Sequence, residues 1–310
     1  MPFLKYSMNN ATVKRKLHLK GGIMLSLKQL MQKMGVLILS MLVLTSIIFA
    51  GCAPATAPVA TVQPTELSGT INEAGSTSVQ PLAELMATAF TAKYPKVTVN
   101  ISGGGSSAGV KAIAAGTVDL GAASRDIKIT EPDVIPVCIA RDGVAIVVNE
   151  ANSLTGVTIE QVAKIYAGEI TNWKDVGGVD ATISVVSREE GSGTREVFEE
   201  YVTGAFKKKI KADALFFDSN GAIRSKVTSD KNAIGYVSFG YTAGLKTLTV
   251  NNVAPTVENA QSGKYPIVRR LYFLVKSMPS GIVKEFIDFC RGPEGQKIAL
   301  DEGYIPLVLK

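Results

Sequence analysis

The sequence predicts an α/β fold of strand–helix–strand units, and three observations carry that expectation. Short β-branched stretches alternate with amphipathic helical patterns beyond Leu67, and Gly/Ser/Thr clusters recur where a strand hands over to a helix. A content of 46% hydrophobic and 19% charged residues over 310 positions is ample for a large core.

In chain order, GTINEAG (69–75) reads as a strand, and Leu82, Leu85, Met86, Ala89 and Phe90 then share one helical face. KVTVNISG (96–103) is the next strand, followed by a helix with Val110, Ile113 and Ala114 on its apolar side. Further along, Ile183 to Ser187 is a strand, Val197, Phe198, Tyr201 and Val202 fall on one helical face, and Ile282 to Phe289 and Ile298 to Leu300 are helical. The spacing i, i+3, i+4, i+7 after a strand calls for parallel-rich sheets flanked by helices. No internal repeat is present. A body of this size divides into two lobes or forms one doubly wound domain.

The region before Leu67 has a different character. Lys28 and Lys33 precede an uncharged run from Gly35 to Ala50, which ends in small residues just before Cys52. A charged start, an apolar middle and a small-residue end describe an export signal, and 16 residues is short for a permanent membrane helix. Either Met1 or Met24 could start it. Residues 53–66 are rich in Ala, Pro and Thr, lack an apolar period and read as a tether. The expected organisation is a leader over 1–51, a tether over 52–66 and a folded body beyond.

This division changes the charge argument. Of 33 Lys and Arg, seven lie in residues 1–51 with none of the 27 Asp and Glu, so the rest of the chain is close to neutral. The formal charge of +6 therefore gives no support for a nucleic-acid partner. The sole histidine, His18, also lies in the leader, so the body offers no His-based catalytic or metal site. Cys138 and Cys290 sit in apolar contexts, either as buried small hydrophobes or as a disulfide pair. Gly105-Ser106-Ser107-Ala108-Gly109 fits a G-x-S-x-G nucleophile elbow at Ser107, but lacks a histidine base. There is no phosphate-binding G-x-x-x-x-G-K-[ST] run, so the chain does not hydrolyse nucleotides. The reading is a binding protein, not an enzyme, with no metal and no organic cofactor.

The loops carry the functional signal. Gly75-Ser76-Thr77-Ser78, Gly103-Gly104-Gly105-Ser106-Ser107 and Gly191-Ser192-Gly193-Thr194-Arg195 each open an amphipathic helix. At a helix N-terminus the first N–H groups have no intrahelical partner and the dipole is positive. Glycine admits a ligand to the backbone, and Ser and Thr add hydroxyl donors. Any one such loop is explained by capping and turn preferences alone; three with arginines beside them point to an oxyanion. Arg125, Arg188 and Arg195 supply the planar fork that grips a tetrahedral oxyanion. Trp173 fits packing in the second lobe better than a sugar platform.

The stretches INEAGSTSVQP, ISGGGSSAGVKAIAAGTVDLGAASRD, IYAGEITNW and REEGSGTR, in this order and separation, resemble the phosphate-binding proteins of ATP-driven phosphate importers in their short lipoprotein form. The resemblance covers residues 68–308. It implies a two-lobed periplasmic-binding-protein type II fold with the ligand cleft between lobes, lobe I being 68–143 plus 268–310 and lobe II 144–267.

It also implies inorganic phosphate as ligand and a membrane permease, with its separate ATPase, as partner. The binding protein would be a monomer held at the extracytoplasmic face of the cell membrane by lipid on Cys52, since Phe49-Ala50-Gly51-Cys52 is similar to a lipobox. Carried over residue by residue, the ligand groups fall on Thr77, Ser78, Ser106, Arg188, Ser192, Gly193 and Thr194. Ser76 and Glu190 stand behind them, Glu190 where the family often has an aspartate buttressing the arginine. Many relatives have an aspartate that accepts the proton of bound phosphate. Here Ser124 takes its place and the acid moves to Asp126, so Ser124, Arg125 and Asp126 complete the expected set. Sulfate has no proton to give, and this departure leaves sulfate or molybdate open as ligands. A phosphate sensor or adhesin is open as a role.

Overall fold

The computed structural model describes residues 66–307. The expected leader, its lipobox with Cys52 and nearly all of the tether lie outside the described residues. The first half of the described chain gives β1 (Gly69–Gly75), α1 (Gln80–Lys93), β2 (Val97–Ser102), α2 (Ser106–Ala115), β3 (Leu120–Ala123), β4 (Ile135–Val148), β5 (Gly156–Val157) and α3 (Ile159–Ala167). Next come β6 (Ser184–Arg188), α4 (Gly193–Phe198), β7 (Leu215–Phe217), α5 (Asn220–Ser229), β8 (Ala233–Ser238), β9 (Lys246–Thr247) and β10 (Thr249–Val250). The chain closes with α6 (Val257–Gln261), β11 (Val268–Val275), α7 (Gly281–Arg291) and α8 (Pro293–Asp301).

The main sheet runs β2-β1-β3-β11-β4-β8-β6-β7, with β9 added on β4. Its two ends are parallel, β1 pairing with β2 and β3, and β6 with β8 and β7. These are the strand–helix–strand units the sequence predicts. The middle is antiparallel, because the long β4 pairs β11 through residues 135–143 and then β8 through residues 144–148. One strand thus runs from one half of the sheet into the other.

Two cores form around this sheet. The larger gathers side chains from Val144 to Ile267 with Ile305 added; the second gathers Ile71 to Ala140 and Leu271 to Tyr304. Trp173 packs in the larger core, its indole N–H donating to the Asn232 carbonyl at 3.1 Å. Cys290 is buried in the second and Cys138 is half-buried elsewhere; both are free thiols. Among the described residues no helix is long and apolar enough to cross a membrane.

Local sequence explains how the loops are set. Gly75 ends β1 at φ +147°, and a Cβ there would lie 2.3 Å from the Ala122 carbonyl oxygen, a conformation and an approach that glycine permits. Gly105, at φ +91°, donates its N–H to the Gly75 carbonyl at 2.8 Å, so the first two Gly/Ser loops are tied together. Gly109 lets α2 lie on β3: its Cβ would meet backbone oxygens of Ala122 at 2.5 Å and Ala74 at 2.9 Å. Gly109→Ala is expected to lower unfolding stability by about 2 kcal/mol through overpacking, read as a lower urea midpoint with unchanged slope.

The helix after β6 differs from the sequence expectation. The α4 helix continues into a wider π turn over Glu199–Thr203, which leaves Tyr201 on the surface while Val197, Phe198 and Val202 stay buried. Phe198 stacks on Tyr236 at 4.1 Å between ring centroids and 8° between planes, which fixes α4 against β8.

Candidate anion-binding site

Three strand-to-helix loops and the loop between β3 and β4 meet over β4 and β11. Thr77 and Ser78 follow β1, Ser106 opens α2, Ser124 follows β3, and Ser192 to Thr194 open α4; all are buried. Two of their contacts cross between the chain segments that carry the two cores: Ser78 Oγ lies 2.9 Å from Thr194 Oγ1, and Ser107 N–H donates to the Gly191 carbonyl at 3.1 Å. Within one segment, Ser106 Oγ accepts from Ser124 N–H at 3.1 Å. Gly193 packs so closely that a Cβ would lie 2.4 Å from Ser106 Oγ and 2.6 Å from Ser124 Oγ.

Of two buried arginines, Arg188 and Arg269, the second bonds directly to this cluster. Arg188, 1% exposed, ends β6, and its Nε and Nη2 each donate to a Glu189 carboxylate oxygen at 2.9 Å. Its backbone N–H donates to Tyr236 Oη at 3.1 Å, and burial pushes the Tyr236 phenol up to about 12, so this anchor stays neutral. Arg269, on β11, donates to three hydroxyls: Ser78 Oγ at 2.8 Å, Thr194 Oγ1 at 2.8 Å and Ser124 Oγ at 3.3 Å. Asp142 on β4 holds it through Oδ2, at 3.0 Å from Nε and 2.7 Å from Nη2. Burial pushes the Asp142 carboxyl up and Arg269 down, while direct contact pulls each back toward its charged form. With Phe239 N–H also donating to Asp142 Oδ1 at 3.2 Å, the pair is an ionised salt bridge.

A buried cluster of hydroxyls and helix-start amides beside two arginines is an oxyanion receptor in its chemistry. Comparison with known proteins agrees with that reading. A family model described as the PBP superfamily domain matches residues 59–294. The phosphate-binding protein PstS of Bacillus subtilis is 31% identical over 249 residues, covering 77% of this chain and 81% of that protein.

The chain belongs to the PBP superfamily, in the PstS group.

Among solved structures, a phosphate ABC transporter substrate-binding protein from Clostridium perfringens with bound phosphate is 39% identical. It matches with a TM-score of 0.74 over 77% of this chain and all of that one. An ABC-type phosphate transport receptor from Vibrio cholerae is 34% identical, with a TM-score of 0.63 over 76% of this chain and all of that one.

Within this PstS-group protein the expected residues divide. Thr77, Ser78, Ser106, Ser124, Gly193 and Thr194 come together, while the Arg188 guanidinium bonds to Glu189 and to the Phe217 and Asp218 carbonyls at 3.3 and 3.1 Å. Ser192 is beside them, but its Oγ caps α4 by accepting from Arg195 N–H at 3.2 Å. Ser76 stands behind the cluster as expected, its Oγ accepting from Ser78 N–H at 3.2 Å.

Arg125 is buried but turns aside, to Glu131, to Glu196 at 3.0 Å and to Ser107 Oγ at 3.0 Å. Asp126 is exposed at the surface and accepts from Tyr272 Oη at 2.5 Å. The carboxylate on Arg188 belongs to Glu189; Glu190 is exposed on the turn, because the chain leaves the strand at Arg188 and one residue further points to solvent.

Three contributors were not foreseen. Arg269 and Asp142 lie in the strand sequences VRRLYFLV and CIARDGVAIVV, where no Gly/Ser/Thr signal marks them. Asn220, 0% exposed, donates Nδ2–H to Thr77 Oγ1 at 3.1 Å and Ser78 Oγ at 2.9 Å. Its signal was legible: Asp218-Ser219-Asn220-Gly221 is a fourth helix start, capped by Ser219 Oγ accepting from Ala222 N–H.

Proposed function

We propose that this chain is an extracytoplasmic solute-binding protein that captures inorganic phosphate and passes it to a membrane permease of an ATP-driven importer. The observation that carries the reading is the meeting of hydroxyls from several helix starts with buried Arg269, in a chain similar to a protein solved with bound phosphate. Residues 68–143 with 268–310 act as one lobe and 144–267 as the other, which accords with the two cores and with the passage of β4 between them. Phosphate exchanges its hydration for Thr77, Ser78, Ser106, Ser124, Arg188, Gly193 and Thr194, and only the closed arrangement supplies both lobes' donors at once.

The protein binds and does not turn over its ligand. The elbow-like Ser107 accepts from Arg125, and the chain's sole histidine is His18. Lipid on Cys52 anchors the monomer and raises its concentration at the permease.

Arg125 serves closure on this reading. With Lys128 it joins lobe I to Glu196 of lobe II, at 3.0 and 2.8 Å. Glu196→Gln is expected to speed phosphate release and weaken affinity about fivefold, roughly 1 kcal/mol, measured by stopped-flow release.

Isothermal titration of the anion-free protein tests the function. Saturable phosphate binding at one site, micromolar or tighter, is expected. Binding of sulfate or molybdate in place of phosphate would overturn the ligand, and silence toward every oxyanion would overturn the site.

A further inference from the structure

The loop after β1 holds a carbonyl that its own helix cannot satisfy. Ser76 begins the turn ahead of α1: its Oγ accepts from Ser78 N–H at 3.2 Å, and its carbonyl accepts from Val79 N–H at 3.0 Å and Gln80 N–H at 3.1 Å. The chain is therefore already turning as a helix from Thr77. In the next step of that pattern the Thr77 carbonyl would accept from the residue four positions on. That residue is Pro81. Proline has no N–H, and its ring crowds the carbonyl four residues before it. The pattern resumes at Val79, whose carbonyl accepts from Ala83 N–H at 2.9 Å.

No backbone N–H among the described residues donates to the Thr77 carbonyl. Its donor comes from far along the chain, as Tyr241 Oη at 2.9 Å. Thr77 is 6% exposed, and a buried carbonyl left unpaired is costly, so this one bond carries weight.

Tyr241 ends the 3-10 turn Phe239–Tyr241 after β8, in the proposed lobe 144–267, whereas Thr77 belongs to the other proposed lobe. Its ring packs against the larger core, with the Arg224 guanidinium 5.7 Å from the ring centroid. Burial raises the phenol, so it keeps its proton and donates. The same turn fits closely elsewhere: a Cβ on Gly240 would lie 2.5 Å from Tyr304 Oη, and Tyr304 donates to the Ser78 carbonyl at 3.2 Å. Asn220, on the same side as Tyr241, reaches the same loop through Thr77 Oγ1 and Ser78 Oγ. These bonds join uncharged groups, unlike the contacts of Arg125 and Lys128 with Glu196.

We infer that Pro81 keeps the Thr77 carbonyl open for Tyr241, and that this bond is an uncharged latch between the lobes that sets how fast the bound anion leaves. Tyr241 is a positioning residue: it acts on the loop and not on the anion. With the lobes apart water reaches the carbonyl, so the bond counts in the closed arrangement alone. This rests on the anion-site and two-lobe reading above.

Stopped-flow phosphate release tests it. Tyr241→Phe keeps the ring and removes only the hydroxyl; release is expected to become about tenfold faster with the association rate unchanged. The anion-free thermal midpoint should move by no more than about 2 °C. Pro81→Ala gives the helix back its N–H, so the carbonyl no longer depends on Tyr241. In that background Tyr241→Phe is expected to change the release rate by less than about threefold. Release of Tyr241→Phe at the wild-type rate, or equal acceleration with and without Pro81, overturns the latch while phosphate binding stands. A lowered thermal midpoint with unchanged release assigns Tyr241 to packing and overturns it as well. Absence of phosphate binding by the wild type overturns the anion site itself.

Discussion

Replacement of Gly193 by alanine is expected to weaken phosphate binding about 100-fold, roughly 2.7 kcal/mol, without loosening the anion-free fold. The added methyl would sit 2.4 Å from Ser106 Oγ and 2.6 Å from Ser124 Oγ, well inside contact distance, with Arg125 Cγ at 3.2 Å. Gly193 starts α4 in the proposed lobe 144–267, and all three neighbours belong to the other proposed lobe. The overpacking cost therefore falls on the closed state alone. Relief by rotating the two serines would remove the donors the anion needs, so both routes lose affinity. Titration calorimetry reads the first effect. Thermal unfolding without anion should shift by no more than about 2 °C; a large drop there with normal binding would show that Gly193 packs a core and not a closing cleft.

Glu73→Gln is expected to stabilise the protein by about 3 kcal/mol at pH 7 and by almost nothing at pH 4.5. Glu73 faces inward from β1, is 2% exposed, and neither carboxyl oxygen has a hydrogen-bond partner. Burial pushes its pKa up to about 8 from 4.5, with Glu84 on α1 adding repulsion and the Ser102 backbone partly opposing. The folded state holds the proton more tightly than the unfolded one. The wild type is therefore most stable below about pH 4.5 and loses stability as pH rises to about 8, above which the curve is level. Glutamine cannot ionise and removes this slope. Urea unfolding of both proteins between pH 4.5 and pH 8.5 measures it, and parallel curves would mean that Glu73 is solvated or paired. A partnerless acid this close to the Gly75 to Ser78 loop has no account in the binding reading; its effect is on stability.

The parts that were legible in the sequence are those whose signal is local. GTINEAG became β1 and the periodic apolar residues after it became α1, because alternation and helical spacing are properties of a few consecutive residues. The Gly/Ser/Thr helix starts were found for the same reason. What failed to show was the part assembled from a distance. Val144 to Val148 are all fully buried, so β4 carries no alternation, and nothing in the string says that it pairs with different strands along its length. Arg269 and Asp142 become partners only when β11 and β4 lie side by side, 127 residues apart in sequence. The Glu189 and Glu190 positions differ by one residue, and the choice depends on where the strand ends, the least determined feature of a sequence reading. Tyr201 left the apolar face because a π turn adds a residue to that stretch of helix.

The central claim is that an oxyanion sits among the hydroxyls joined by Arg269. A crystal structure with arsenate, a phosphate isostere that scatters anomalously, tests it most directly. The account predicts one strong anomalous peak within hydrogen-bond reach of Thr194 Oγ1, Ser106 Oγ and the Arg188 guanidinium. A peak instead in the adjoining open groove of about 660 Å³, among Arg141, Arg270 and Tyr201, would contradict it.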